Sequence, residues 1–279
     1  MYVGSNGPAV TQFVDTAGGT IAYDDSGGDG PLIVMLPGAG DIRSEYRLLA
    51  PRLIERGARV VTMDLRGHGE SSADWPAYGI ADTAADLIAL LEHLGGGPAT
   101  VVATSFSPTA AMWAAADRPD LIAGVVAISA HLHDAPWYQR IPLGLALRGP
   151  LAARLWASQY RGWHPGSPPA DLESHAGQLA AMLSDPQRRR AVRETLLAER
   201  AGLAERITRL RAPVLVVLGG ADSHFPDPSA EGEAIAATTG GTLVMVPDAG
   251  HYPHAEYPDA VAGPILSFVA GNAGDEHGS

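Results

Sequence analysis

The sequence predicts an α/β fold: a mostly parallel, eight-stranded sheet with helices on both faces and a helical insertion lying over it. Three observations predict this. Short apolar runs alternate with stretches of helical length, the pattern of a strand followed by a crossover helix. The alternation stops between about Asp134 and Ile207, where helical patches and prolines occur without a convincing strand. Glycine (33 residues) and proline (22 residues) are abundant, which suits many short connections.

Taken in order, Gln12 to Thr16 and Thr20 to Tyr23 form a hairpin around Gly18-Gly19, and Asp24 to Pro31 is a loop. Leu32 to Leu36 is a fully apolar strand ending at Pro37-Gly38-Ala39-Gly40. Glu45 to Arg56 is an amphipathic helix with Leu48, Leu49, Leu53 and Ile54 on one side. Arg59 to Met63 is a strand. Thr83 to Leu94 is a helix, opened by a Thr83/Asp86 capping box and closed by Gly95. Thr100 to Ala103 is a strand that turns at Ser105 into a helix over Ala110 to Ala116. Gly124 to Ser129, Val214 to Leu218 and Thr242 to Val246 are further strands. Pro258 to Ala270 is the final helix, kinked at Pro264, before a frayed tail from Gly271. Three of the five tryptophans (Trp137, Trp156, Trp163) and Tyr138 and Tyr160 lie in the insertion. Arg188-Arg189-Arg190 reads as a solvated helix face.

Composition narrows the chemistry. The 279 residues contain no cysteine, which removes disulfides, zinc thiolates and cysteine catalysis. A net charge of −12 argues against nucleic acid as a partner. Met1 to Val10 has neither a basic stretch nor an apolar run, so no secretory signal is expected. No apolar run reaches the ~18 residues of a membrane helix. The expectation is a soluble, cytoplasmic protein with a small-molecule partner and no membrane or nucleic-acid partner. Oligomeric state is not encoded legibly.

Three positions carry what nucleophilic catalysis needs. Ser105 follows a buried strand, with small residues Ala103 and Ser107 two positions away on each side, as a tight strand-to-helix elbow requires. Asp222 follows the strand Val214 to Leu218, and His251 follows Thr242 to Val246. All three lie just past the carboxyl ends of strands, where sites collect in open α/β sheets. A serine hydroxyl needs a base, histidine can supply it, and a buried aspartate can orient the imidazole. Asp134 is a rival acid. The backbone N–H groups of Ala39 and Phe106 fit an oxyanion hole, whose donors are worth ~3–4 kcal/mol each to a transition state. His131 and His133 beside Asp134 are too little for a metal and read as the mouth of a pocket. His68 reads as structural.

These residues resemble the α/β-hydrolase superfamily over nearly the whole chain. Asp64-Leu65-Arg66-Gly67-His68-Gly69-Glu70-Ser71 resembles its D-x-R-G-x-G-x-S loop. Gly250-His251 with Glu256 and Pro258 resembles its histidine segment, and Asp222 followed by Pro226 its acid segment. The resemblance implies the α/β-hydrolase fold, a triad of Ser105, Asp222 and His251, a core of residues 1–133 and 208–279, and a helical cap of 134–207. It implies a cofactor-free serine hydrolase acting on a small, largely apolar ester, thioester or lactone through an acyl-enzyme on Ser105. The alternative is C–C cleavage, cofactor-free oxidation or cyclisation on the same scaffold, as in natural-product metabolism; a ligand-binding receptor is a third reading. Gly38, His131, Trp137, Trp156, Tyr160 and Tyr252 are expected around the pocket. The chain departs from the family pattern where Pro37-Gly38 replaces a frequent His-Gly, and where Ala103 and Ser107 replace glycines at the elbow.

Overall fold

The computed structural model describes residues 3–4, 7–8, 10–134, 137–149 and 151–275. Eight strands form the main sheet: β1 (Gln12–Thr16), β2 (Gly19–Asp25), β3 (Leu32–Leu36), β4 (Arg59–Met63), β5 (Ala99–Thr104), β6 (Ile122–Ile128), β7 (Val214–Gly219) and β8 (Thr242–Val246). Their spatial order is β8-β7-β6-β5-β3-β4-β2-β1. The β1–β2 and β2–β4 pairs are antiparallel; the others are parallel. Chain order reverses direction across the sheet at β3, which pairs Ile33 with Val60 of β4 and with Thr100 of β5. The crevice beyond the ends of β3 and β5 is therefore the place for a site.

The continuous apolar strands are explained by helices on both faces. Successive side chains alternate sides. Leu32, Val34 and Leu36 join one core cluster with Val101, Ala103, Val125 and Ala127. Ile33 and Met35 join the other with Val102, Val126 and Ile128. A third cluster holds together the insertion, around Trp156, Tyr160, Leu179 and Leu183.

The helices differ from expectation at their ends. The stretch expected as one helix from Glu45 to Arg56 is a 3₁₀ turn over Arg43–Arg47 followed by α1 (Ala50–Ile54). Pro51 has no N–H to give the Arg47 carbonyl, and its ring crowds that carbonyl, so the two pieces cannot fuse. Helix α2 (Ile80–Leu94) starts before Thr83. Its first turn is closed by Asp82, which accepts from the Gly79 N–H at 2.9 Å, and not by a Thr83/Asp86 box. Asp86 instead accepts two hydrogen bonds from Arg66, at 2.7 and 2.8 Å. Helix α3 (Ser107–Asp117) follows the elbow, with Pro108 in its first turn. The insertion comprises α4 (Trp137–Ala146), α5 (Ala152–Gly162), α6 (Leu172–Ser184), α7 (Pro186–Leu197) and α8 (Leu203–Ile207). Beyond it come α9 (Pro228–Thr239), α10 (Pro253–Glu256) and α11 (Pro258–Asp275). Helix α11 continues through Pro264 and past Gly271, so the tail expected from Gly271 is helical to Asp275; residues 276–279 lie outside the described ones. Among the described residues no helix is long and apolar enough to cross a membrane.

The Arg66–Asp86 pair locks the glycine-rich loop after β4 onto α2. Arg66 also donates to the carbonyls of Ala77 and Asp82, and its guanidinium lies over the Trp75 ring at 4.5 Å. Both partners are almost fully buried. Removing the carboxylate leaves the buried cation with only the partly exposed Asp82 carboxylate, 3.4 Å from it, and breaking such a buried pair typically costs about 3 kcal/mol. Asp86→Ala is expected to lower unfolding free energy by about 3 kcal/mol in a urea titration, while an exposed change such as Asp120→Ala leaves the urea midpoint almost unmoved.

Candidate active site

The turn after β5 holds Ser105 at φ 61°, in the left-handed region. A side chain there costs about 1–2 kcal/mol, so the surroundings must impose it. They do so from two sides: the Ser105 N–H donates to Ile128 O at 2.8 Å, and Ser105 O accepts from the His131 N–H at 3.2 Å. Ser107, which stands where the family pattern has a glycine, ties the elbow down. Its buried hydroxyl donates to the Pro37 carbonyl and so links α3 to the loop after β3.

That loop carries Ala39, and it is braced on both sides. The Gly38 N–H donates to Glu45 Oε2 at 2.8 Å. The Gly40 N–H donates to His68 Nε2 at 3.0 Å, and His68 Nδ1 bonds Arg66 O at 2.9 Å. His68 therefore carries its proton on Nδ1, and burial, which disfavours the charged form, pushes its pKa down to about 4. The Trp156 indole N–H donates to Gly40 O at 3.0 Å, joining the insertion to the loop. These contacts replace the support that a histidine before Gly38 would give. Ala39 and Phe106 both face the cavity that Ser105 faces. Phe106 also immediately precedes α3, where N–H groups lack intrahelical partners.

Asp222 and His251 meet although they come from different strand ends. Asp222 Oδ2 lies 2.8 Å from His251 Nδ1. Asp222 Oδ1 accepts from the His224 N–H at 3.0 Å and lies 2.9 Å from His224 Nδ1. Burial would raise the Asp222 carboxyl, but the charge of His251 and the hydrogen bonds from His224 and His251 outweigh it and hold the group far below the usual carboxylate range. Burial lowers the His251 pKa, and the attraction of Asp222 only partly offsets this while His224 adds to the lowering. At neutral pH His251 is thus neutral. With Nδ1–H committed to Asp222, its Nε2 carries the free lone pair. Glu256 secures the loop: it accepts from Gly250 N–H at 2.5 Å and from Gly166 and Ser167 N–H at 2.7 and 3.1 Å. Asp134, the rival acid, turns instead to Arg200, accepting from its backbone N–H at 3.0 Å.

A cavity of about 680 Å³ opens over Ser105 and His251. Leu143, Leu147, Trp156, Trp163 and Leu196 from the insertion form its apolar wall, with Tyr252 beside the histidine. His131, His133 and His224 gather at the polar end with Arg200. The His131 ring stacks on Phe225 at 4.7 Å and lies 5.6 Å from that of His251. Of the residues expected around the pocket, His131, Trp156 and Tyr252 line it. Tyr160 does not: it is fully buried among Tyr252, Trp163 and His175, one turn from the face that meets the cavity. Gly38 does not either. It sits behind Ser105, whose Cβ would be 3.3 Å from a Cβ placed at residue 38. Trp137 begins α4, but its side chain lies outside the described residues. Sequence reasoning left His224 without a role. The Asp-x-His spacing was its only signal, since a carboxylate two residues back can accept from both the backbone and the ring. By residue type, Asp222, His224 and His251 are also a group that could hold a metal, but the hydrogen bonds to Asp222 already account for their proximity.

Comparison with known proteins follows this geometry. Residues 33–263 match the sequence profile of the alpha/beta hydrolase family. The chain belongs to the alpha/beta hydrolase family. This alpha/beta hydrolase is 28% identical over 258 residues to the magnesium-chelatase 30 kDa subunit of Rhodobacter capsulatus, covering 89% of this chain and 90% of the other. It is 27% identical over 277 residues to an sn-1-specific diacylglycerol lipase of Mus musculus, covering 90% and 85%. A solved hydrolase from Pseudomonas aeruginosa superposes with a TM-score of 0.78 at 28% identity, over 93% of this chain and 98% of that one. Relatives named as hydrolases thus stand beside one named otherwise, and the family likeness does not choose a substrate.

The brace on the alpha/beta hydrolase's Ala39 loop can be tested directly. Gly40 has φ +84°, and a Cβ there would overlap the Trp156 indole. Gly40→Ala is expected to cost about 2 kcal/mol or more in urea unfolding and to change Trp fluorescence in the folded state, whereas Gly57→Ala, with open space around it, shows only the cost of its positive φ.

Proposed function

We propose that this chain is a serine hydrolase of small, largely apolar acyl compounds: esters, thioesters or lactones. The observation that carries the proposal is the buried Asp222–His251 hydrogen bond, facing one cavity with a serine held in a strained backbone conformation. Ser105 Oγ attacks the acyl carbon while His251 Nε2 takes its proton. Negative charge on the former carbonyl oxygen meets the N–H groups of Ala39 and Phe106. His251 passes the proton to the departing alcohol or thiol, leaving an acyl-enzyme. The imidazole then removes a proton from water as that water attacks the acyl carbon; the acyl–Oγ bond breaks, and His251 returns the proton to Ser105 Oγ, releasing the acid. Asp222 stays ionised throughout and stabilises the imidazolium. The mostly apolar lining supports an apolar acyl group. In this reading 134–207 acts as a cap on a core of 1–133 and 208–279, since the insertion supplies most of the cavity wall.

The test is hydrolysis of short-chain nitrophenyl esters and a lactone panel. Ser105→Ala and His251→Ala are each expected to lower kcat by roughly 10³-fold or more with the fold intact. A Ser105→Ala chain as active as the parent overturns the proposal. The pH profile supplies a second check. The base works only when neutral, so kcat/KM rises with pH through the His251 pKa and then levels. Because that pKa is lowered, half-maximal rate is expected below pH 6.5, the ordinary imidazole value. His224 contributes to the lowering, so His224→Phe is expected to move the acid limb to higher pH.

A further inference from the structure

Of the seven large apolar side chains that stand exposed among the described residues, five lie on or beside α4 and α5: Tyr138, Ile141, Leu145, Leu151 and Leu155, each between 53% and 59% exposed. Their spacing is regular. Tyr138, Ile141 and Leu145 follow i, i+3, i+7 along one α4 face, and Leu151 and Leu155 follow i, i+4 where α5 begins. The other side of the same two helices supplies Leu143, Ala152 and Trp156 to the cavity, and Leu155 belongs to both surfaces. The exposed face therefore runs up to the cavity mouth.

Charge singles out the same segment. The whole chain carries −12, yet residues 135–170 contain four arginines and no aspartate or glutamate. Arg161 is paired with Glu173 at 2.8 Å. Arg148 and Arg154 are exposed, and among the described residues no carboxylate pairs with them. A cationic, apolar face on an otherwise acidic molecule is complementary to an anionic lipid surface. Apolar side chains settle at the acyl boundary, while Arg148 from the connection between the helices and Arg154 from α5 reach anionic headgroups. The acidic remainder is repelled from such a surface, which fixes the orientation.

We propose that the α4–α5 face docks on an anionic lipid surface, with the cavity mouth turned toward the lipid. This departs from the expectation of no membrane partner. That expectation rested on the lack of a spanning run, and a docking stripe is interrupted by polar residues and leaves no such run.

The test is cosedimentation with phosphatidylcholine vesicles with and without phosphatidylglycerol, using the Ser105→Ala chain so that the outcome is independent of turnover. The chain is expected to partition at least about tenfold more strongly onto the anionic vesicles, and to lose this as salt rises. Ile141→Glu with Leu145→Glu is expected to reduce binding by about tenfold or more, and Arg148→Gln with Arg154→Gln to remove the preference for anionic lipid. Both pairs are exposed, so melting temperature should not move, which separates lost docking from lost folding. Failure to bind anionic vesicles overturns the proposal, as does equal binding by the Ile141→Glu/Leu145→Glu chain. A dimer that the same pair of substitutions dissociates, without vesicle binding, overturns it in favour of a second copy on this face.

Discussion

The Asp222 carboxylate is buried, and burial alone would neutralise it. Two imidazoles, His251 and His224, donate to its two oxygens and make the charge tolerable. This interaction has consequences in both directions. It fixes which nitrogen of His251 carries the proton, and so leaves Nε2 as the nitrogen with a free lone pair, the one proposed to act as base. It also ties together the segments after β7 and β8, neighbouring strands that pair Gly219 with Val246 and whose loops meet again where the Ala221 N–H donates to Ala249 O. The His224 and His251 rings lie 3.9 Å apart between centroids, so a second charge beside His251 is unwelcome. A neutral base and an ionised acid are the state this arrangement favours.

The loop that carries Ala39, the proposed oxyanion donor, is braced without a histidine before Gly38. Pro37 supplies no polar side chain, and the burden passes to Glu45, His68 and Trp156. Glu45 is held with its pKa well above the ordinary value by burial and by the neighbouring Asp41, itself kept ionised against burial by His175. His175 lies on α6, at 2.7 Å from Asp41. Near Ala39 the insertion therefore grips the core through Trp156 on Gly40 and His175 on Asp41. Movement of the insertion would be felt at the proposed oxyanion donors.

Much of this was legible from the sequence because β3, β5, β6 and β7 are apolar on both faces, which only a covered parallel sheet explains. The positions of Ser105, Asp222 and His251 followed from the strand ends. Helix boundaries were harder. Pro51 divides an amphipathic pattern that looks continuous, and Asp86 fits a capping box on paper but is claimed by Arg66 from across the fold. Helix α9, with four alanines and two threonines among its twelve residues, has little apolar periodicity, so the sequence does not announce it. The pocket wall was the least legible part. Whether Tyr160 or Trp163 meets the cavity depends on the rotation of α5 against α6, a property of packing between helices. His68 and Glu45 act through backbone N–H groups of a distant loop, and no spacing along the chain announces that.

The central claim is that these buried contacts make one hydroxyl, that of Ser105, the nucleophile. Mass spectrometry of the chain after exposure to a fluorophosphonate, followed by peptide mapping, tests it most directly. The account predicts a single adduct on Ser105, formed at neutral pH and abolished by His251→Ala. An adduct on another residue, or ester hydrolysis by a chain that resists labelling at Ser105, would contradict it.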